Sequence, residues 1–342
     1  MMYTLAIIVL LSAPNIHELI EAKKWDEAEA KLVTVSPATR PRLEGLIAQG
    51  RGQSAKAAEA FERALVATPG VPQIHLHAAH AYFQQGQFEE VLRHARAAQS
   101  IKNEAVAQPL LEARALEALK RDGDAYVVLN HACDVYQEDF RPCLELAALA
   151  HRKELTLEVR RAVRRTLSLG PDRDACRAAF HLLKQDPPAL PLLEQIVARY
   201  PKDAEFRGLL AHVYANNQKW FSAARLFEDA VRLGGNYAFE AADQYRMAGQ
   251  YEHALRLNGK AAATQAQRIQ RLSILFEQKR YARIVAMKTP FKDLGSRYRI
   301  AYAHYAVGDD NGALRHAKAL LDTSYREEAA ALIKVLRRDD DP

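Results

Sequence analysis

The chain has 342 residues, of which 49% are hydrophobic, 26% charged and only 8% aromatic, as in a soluble folded protein with one large or two ordinary domains. Its 48 Lys and Arg against 42 Asp and Glu give a net charge of +6, too small to indicate nucleic-acid binding by itself. The chain is rich in Ala, Leu, Arg and Glu, and stretches of strand-forming residues are rare, which excludes a β-rich fold and predicts an all-α protein.

The first thirteen residues form an apolar segment, since the first charged side chain is that of Glu18. The apolar run at about 5–11 is too short to cross a bilayer as a helix. It matches the hydrophobic part of a secretory signal, although no Lys or Arg precedes it and Pro14 would follow the cut. We expect export to the periplasm or cell envelope, with a mature chain that starts near residue 14. The alternative is an uncleaved apolar helix packed on the first repeat of a cytoplasmic protein.

A spaced pattern of small and aromatic residues recurs along the rest of the chain. In AAEAFERALVATP (57–69), Ala57, Phe61, Ala64 and Pro69 fall at offsets of 0, 4, 7 and 12, and YANNQKWFSAARLFEDAV (214–231) repeats the first three with Ala223, Phe227 and Ala230. The third position recurs at intervals of 34, 37, 31, 30, 34 and 31 residues, at Ala64, Ala98, Val135, Thr166, Ile196, Ala230 and Ala261. A period of this length predicts stacked helix pairs.

Each period divides into a first helix, a short turn and a second helix. The turn is expected to need a positive φ, which Gly adopts without steric cost. Glycines occupy this slot at Gly52, Gly86, Gly123, Gly249 and Gly308. An aromatic residue opens the second helix at Phe88, Trp220, Tyr251 and Tyr281. Small residues are predicted where the two helices cross, at Gly45, Ala79, Ala147, Ala211 and Ala242.

At these residues the chain resembles the tetratricopeptide repeat family. The unit 204–237 fits best, through Ala211, Tyr214, Trp220, Ala223, Phe227 and Ala230. Units 38–71, 72–105 and 235–268 fit well, and units 109–142, 140–173, 170–203, 265–290 and 294–325 fit loosely. Residues 16–37 resemble a shortened first unit and 323–338 a capping helix, and 339–342 form an acidic tail.

The resemblance implies an all-α, right-handed α-solenoid of about nine stacked antiparallel helix pairs with a C-terminal capping helix. We expect one solenoid over residues 14–338, loosest at the Pro-rich stretch 184–191. In this family the first helices line a concave groove, and partners bind there. The resemblance therefore implies a protein-interaction scaffold.

The three cysteines, Cys133, Cys143 and Cys176, have no zinc-ligand spacing. Their odd number excludes a fully paired set of intramolecular disulfides. We expect them to be small buried apolar residues.

The sequence contains no motif that predicts catalysis or cofactor binding. GRGQSA (50–55) has the glycine spacing of a dinucleotide fingerprint, but it follows a helical stretch and not a strand. His75, His77 and His80 lie close in sequence, yet no acidic or Cys partner stands at helical spacing from them. We expect no enzymatic activity, cofactor, metal or small-molecule substrate.

Candidate partner-binding residues follow from the repeat register and from local charge. His80, His212, Phe239, Asp243 and Arg246 map to the predicted concave face. A second set, Tyr298, Tyr302 and Tyr305, follows one helix face, with packing between repeats as the alternative. Residues 251–300 hold 11 Lys or Arg against Glu252, Glu277 and Asp293, and the basic candidates there are Arg280, Arg283 and Lys288.

The interpretation is a non-catalytic scaffold that binds a segment of a protein partner, with the basic region attracting an acidic stretch. The alternative from another class is a helical-repeat protein that binds RNA through residues 251–300. Export would count against this alternative, and we expect nucleic acid not to be the partner.

Overall fold

The computed structural model describes residues 15–100, 105–287 and 290–338, and in this part of the chain all regular secondary structure is helical. The chain forms two compact units, Met1–Leu183 and Lys184–Pro342. Their boundary lies at the start of the Pro-rich stretch 184–191. Among the described helices, none has the length and apolar character needed to cross a membrane.

The first unit contains eleven α-helices in its described residues, with a 3₁₀ turn at Lys31–Thr34. They are α1 (Ile16–Glu21), α2 (Trp25–Ala30), α3 (Arg40–Gly50), α4 (Ser54–Ala67), α5 (Pro72–Gln84), α6 (Phe88–Ser100), α7 (Ala107–Ala118), α8 (Asp122–Val135), α9 (Arg141–Arg152), α10 (Thr156–Ser168) and α11 (Arg173–Leu183). Each odd-numbered helix from α3 to α9 packs against the helix that follows it, and α11 packs against α9 and α10.

The second unit contains ten α-helices in its described residues, after a 3₁₀ turn at Pro187–Ala189. They are α12 (Leu190–Arg199), α13 (Ala204–Asn216), α14 (Trp220–Arg232), α15 (Ala238–Met247), α16 (Tyr251–Asn258), α17 (Gln265–Glu277), α18 (Tyr281–Val285), α19 (Leu294–Ala306), α20 (Asp310–Lys318) and α21 (Arg326–Arg338). Sequential pairs again pack together from α13 to α20, and α21 packs on α20. The all-α repeat and the closing helix are therefore confirmed.

Close approach of the two helices in a pair is visible at Gly45. A Cβ atom on this glycine would lie only 2.5 Å from Cε1 of Phe61, which is completely buried. Ala79, Ala147 and Ala211 are also completely buried at the equivalent crossings. A ring from the second helix thus packs directly on the backbone of the first helix, and larger residues cannot replace the small ones.

The turn inside nine of the described helix pairs is built by one left-handed residue. The first helix ends there, and the next amide donates to the carbonyl five residues before it, over 2.8 to 3.0 Å. The left-handed residues, with φ between 56° and 76°, are Lys23, Gly52, Gly86, Lys120, Glu154, Gln218, Gly249, Lys279 and Gly308.

The prediction of a positive φ at Gly123 is wrong. Lys120 is the left-handed residue of that turn, with φ of 61°, and Gly123 lies inside α8. The hydrogen bond from Arg121 N to Leu116 O, 2.8 Å long, fixes the turn three residues before the glycine. Five of these nine turns accept a non-glycine residue, so glycine alone does not mark the slot.

The cysteines also differ from the expectation. Cys133, near the end of α8, forms a disulfide with Cys143, near the start of α9. All three cysteines are buried as expected, and Cys176 is a thiol in α11. The turn between α8 and α9 brings the two sulfur atoms together. A separation of ten residues in the sequence does not by itself predict this pairing.

We expect Lys120→Gly to raise the free energy of unfolding by roughly 0.5–1 kcal/mol, because glycine removes the steric cost of a left-handed residue. Lys120 is exposed, so its side chain contributes little packing. Urea titration of the purified protein measures the change. Lys120→Ala is the control, since it removes the same charge but keeps Cβ. An equal gain in both variants would contradict the backbone explanation.

Candidate partner-binding site

An apolar groove lies across three first helices of the first unit, α5, α7 and α9. We call it the α5–α7–α9 groove; its cavity is about 310 Å³. Its lining is His80, Ala107, Leu110, Leu111, Arg114, Arg141, Leu144 and Glu145. The leucines form the floor, and Leu111 and Leu144 are only half-buried. An apolar floor beneath charged side chains is the usual composition of a protein-binding surface.

Two ion pairs connect α7 and α9 beside this floor. Arg114 Nη2 lies 2.5 Å from Glu145 Oε1, and Glu117 pairs with Arg152. Burial raises the pKa of the Glu117 carboxyl, and the nearby guanidinium of Arg152 opposes that rise. Because these side chains already hold each other, the rim of the groove is ordered before any partner arrives.

His80 is held at the edge of the groove by Gln49 on α3. The Gln49 amide nitrogen lies 2.9 Å from His80 Nδ1, and the amide oxygen lies 3.1 Å from His77 Nδ1. The amide NH₂ donates to His80 Nδ1, which places the His80 proton on Nε2 in the neutral ring. His80 is exposed, so its Nε2–H is available to a partner.

In the second unit, three predicted residues lie on α15. Arg246 joins α15 to α17, because its guanidinium lies 2.9 Å from Asp243 and 2.8 Å from Glu277. Phe239 keeps 38% of its surface exposed, and its carbonyl accepts a hydrogen bond of 2.9 Å from the Gln270 side chain. Asp243 and Arg246 are therefore paired with each other, while Phe239 presents an apolar ring.

His212 lies on α13 of the second unit, where it is exposed. Its ring stands edge-on to Phe227, with centroids 4.8 Å apart. The two candidate histidines, His80 and His212, thus belong to different compact units.

The tyrosines of α19 take part in contacts between helices. Tyr302 stands edge-on to Phe276 of α17 and Tyr281 of α18, with centroids 5.6 and 5.7 Å apart. Tyr298 packs against Tyr325, with centroids 5.7 Å apart. Tyr305 follows Tyr302 at 6.0 Å, and all three α19 tyrosines are half-buried. These ring contacts are the packing between repeats that was the alternative for the tyrosines. Their role in partner binding stays a prediction.

The basic candidates differ in their surroundings. Arg280 forms an ion pair with Glu252, whereas Arg283 borders a shallow cavity of about 510 Å³ with Arg268 and Arg271. We call these three side chains the arginine cluster. No carboxylate among the described residues forms an ion pair with any of the three. Lys288 lies outside the described residues.

A second arginine-rich cleft, of about 370 Å³, lies between α8 and α10 in the first unit and was not predicted from the sequence. It is lined partly by Arg161, Arg164 and Arg165, with Asp134 and Glu158 close by. The run RRAVRR (160–165) was the available signal. The leucines of the α5–α7–α9 groove were missed as well, because apolar residues on a helix read as core when their exposure is unknown.

The solved structures named here are similar to this chain at low identity and low TM-score. No family model and no curated protein matches the sequence. A solved tetratricopeptide repeat protein from Parabacteroides merdae is similar at 13% identity and a TM-score of 0.41, over 88% of this chain and 98% of its own. Yeast Tom70 is similar at 12% identity and a TM-score of 0.38, over 84% of this chain and 68% of its own.

A third solved structure is that of YrrB, described as a TPR protein with an unusual peptide-binding site. It is 12% identical, with a TM-score of 0.35, over 69% of this chain and 97% of its own. At such values the class of this protein rests on its own helix pairs, turns and crossings. These define an all-α array of stacked helix pairs.

Proposed function

We propose that the protein is a non-catalytic scaffold that binds a segment of a partner protein on its first helices. The α5–α7–α9 groove is the observation that carries this proposal. It combines a half-buried leucine floor with a rim whose charges are already paired. A partner gains apolar burial at the floor without the entropic cost of ordering the side chains at the rim.

The groove also suggests the chemistry of the bound segment. Leu111 and Leu144 offer apolar contact to one or more apolar side chains of the partner. His80 Nε2–H stands at the rim as a hydrogen-bond donor, whereas the guanidinium of Arg141 is already paired with Asp139. Backbone carbonyls or a carboxylate of the segment are suitable acceptors. The bound segment therefore combines apolar side chains with oxygen acceptors.

In the second unit, we propose that Phe239, Tyr305 and the arginine cluster add contacts to the partner. The arginine cluster has no carboxylate of the described chain as an ion-pair partner, and its three guanidinium groups are exposed. An acidic stretch would neutralise this local charge and speed the encounter. Arg280 contributes less, because Glu252 already pairs with it.

A photo-crosslinking residue at position 111 tests the groove in the native cells. We expect it to capture a specific protein, which the same residue at the exposed control position Val127 on α8 does not capture. The captured protein is then purified and titrated directly. We expect Leu111→Gln and Leu144→Gln each to weaken its binding about tenfold, as loss of a well-packed interface residue does.

Circular dichroism and thermal melting establish that these variants stay folded, and Val127→Gln serves as the matched variant. Equal capture at positions 111 and 127, or unchanged affinity in folded Leu111→Gln and Leu144→Gln, would rule out the groove as the binding site.

Nucleic acid is the second candidate partner, because the arginine cluster could neutralise phosphates. The scaffold proposal expects no saturable binding of random single-stranded RNA at physiological salt. The alternative expects binding whose log–log salt slope is about −2 for three phosphate contacts. In that case Arg268→Ser, Arg271→Ser and Arg283→Ser together would abolish the slope. Filter binding from low to physiological salt distinguishes the two outcomes.

We further propose that the protein works in the cell envelope after export. Two features support this: the apolar segment 1–13 and the Cys133–Cys143 disulfide, since disulfides persist in oxidising compartments and are rare in the cytosol. Residues 1–13 lie outside the described part of the chain.

Mass spectrometry of the protein from its native cells tests this. We expect the intact mass to lack about 13 N-terminal residues. We also expect one unreduced peptide pair that contains Cys133 and Cys143. Recovery of chains that keep Met1 or Met2 from a cytosolic fraction, with both cysteines alkylated before reduction, would refute export.

A further inference from the structure

Two carboxylates and one imidazole converge where the second helices α4 and α6 lie near each other in the first unit. The side chains are Glu62 of α4 and Glu90 and His94 of α6. One oxygen or nitrogen atom from each lies within 4.8 Å of the others. Glu90 and His94 are four residues apart, which places them one turn apart on the same helix face.

The imidazole is the most ordered member of this group. His94 is completely buried, and its Nε2 lies 2.9 Å from Glu62 Oε1. Its Nδ1 lies 3.0 Å from Nδ1 of His75, so one of these two nitrogens donates to the other. Tyr82 donates its hydroxyl to Glu62 Oε1 over 3.0 Å. His75 and Tyr82 therefore orient the imidazole and one carboxylate from outside, as second-layer residues do in metal sites.

A single cation already contacts all three side chains. The Arg93 guanidinium lies 2.6 Å from Glu62 and 2.7 Å from Glu90, and its Nη2 is 2.9 Å from His94 Nε2. Glu62, Glu90 and His94 thus surround a position that favours a positive charge. The Arg93 side chain is 54% exposed, so it can turn outward and exchange its contacts with this group for contacts with water.

We propose that Glu62, Glu90 and His94 form a Zn²⁺-binding site in which Arg93 occupies the position of the ion when zinc is absent. An imidazole together with carboxylates suits zinc better than the oxygen-only ligand sets that Mg²⁺ and Ca²⁺ prefer. Three protein ligands leave one position of a tetrahedral site for water or another ligand.

Zinc binding at this site needs only side-chain movement. Ligand atoms of a tetrahedral zinc lie about 3.4 Å apart, given metal–ligand distances of about 2.1 Å. His94 Nε2 and Glu62 Oε1 are already closer than that, and Glu90 is partly exposed and can rotate. The imidazole must coordinate through an unprotonated Nε2. The proton can reside on Nδ1, where His75 Nδ1 accepts it, so His94 binds as a neutral ligand.

The test uses the full chain, freed of metal by chelation and titrated with Co²⁺ as a spectroscopic substitute for zinc. We expect visible d–d absorption that saturates at one Co²⁺ per chain and disappears on addition of Zn²⁺. Glu90→Gln should weaken Co²⁺ binding at least tenfold. Arg93→Met should strengthen it about tenfold, since it removes the competing cation.

The matched control is Glu89→Gln, which removes an exposed carboxylate next to Glu90 and should leave Co²⁺ affinity unchanged. His94→Asn should abolish the absorption, with circular dichroism as the check on folding. If that variant does not fold, Glu90→Gln and Arg93→Met decide alone. No absorption in the native chain or in Arg93→Met, or equal effects of Glu89→Gln and Glu90→Gln, would identify an ion-pair cluster that binds no zinc.

Discussion

The left-handed residue that ends nine of the described first helices is the constraint on which the repeat depends. At nine described turns the chain reverses through one residue of positive φ and one hydrogen bond that spans five residues. The next helix must then return along the first, and its rings meet small residues on the neighbouring backbone. Phe61 on Gly45 is the tightest example. One local backbone choice, repeated, therefore determines which faces are buried and which remain for binding.

The same regularity brings charges into contact between neighbouring first helices. Arg114 pairs with Glu145, and Arg246 pairs with Glu277, each across 31 residues of sequence. Exposed ion pairs contribute little to stability. Their effect is to fix the side chains on the face that a partner would meet. A surface whose polar groups are held in this way loses less conformational entropy on binding than one whose side chains move freely.

The sequence predicted the period, the helix pairs and the small crossings, because these depend on residue size and spacing alone. It placed one turn wrongly at Gly123, since Lys120 accepts the left-handed backbone at a modest cost. It missed the disulfide, because contact between Cys133 and Cys143 depends on how one turn folds. It also did not predict the cluster of possible metal ligands, because Glu62 comes from a different repeat than Glu90 and His94. Exposed binding residues follow no period, so Leu111 and Leu144 could not be separated from the core in advance.

The Cys133–Cys143 disulfide has a mechanical consequence. In a repeat protein each unit touches mainly its neighbours, so the array can open from an end one repeat at a time. The covalent link joins the second helix of one repeat to the first helix of the next. Under tension, the chain between residues 133 and 143 carries no load, and the force passes through the sulfur atoms instead. These two helix ends thus stay joined when a neighbouring repeat opens on either side.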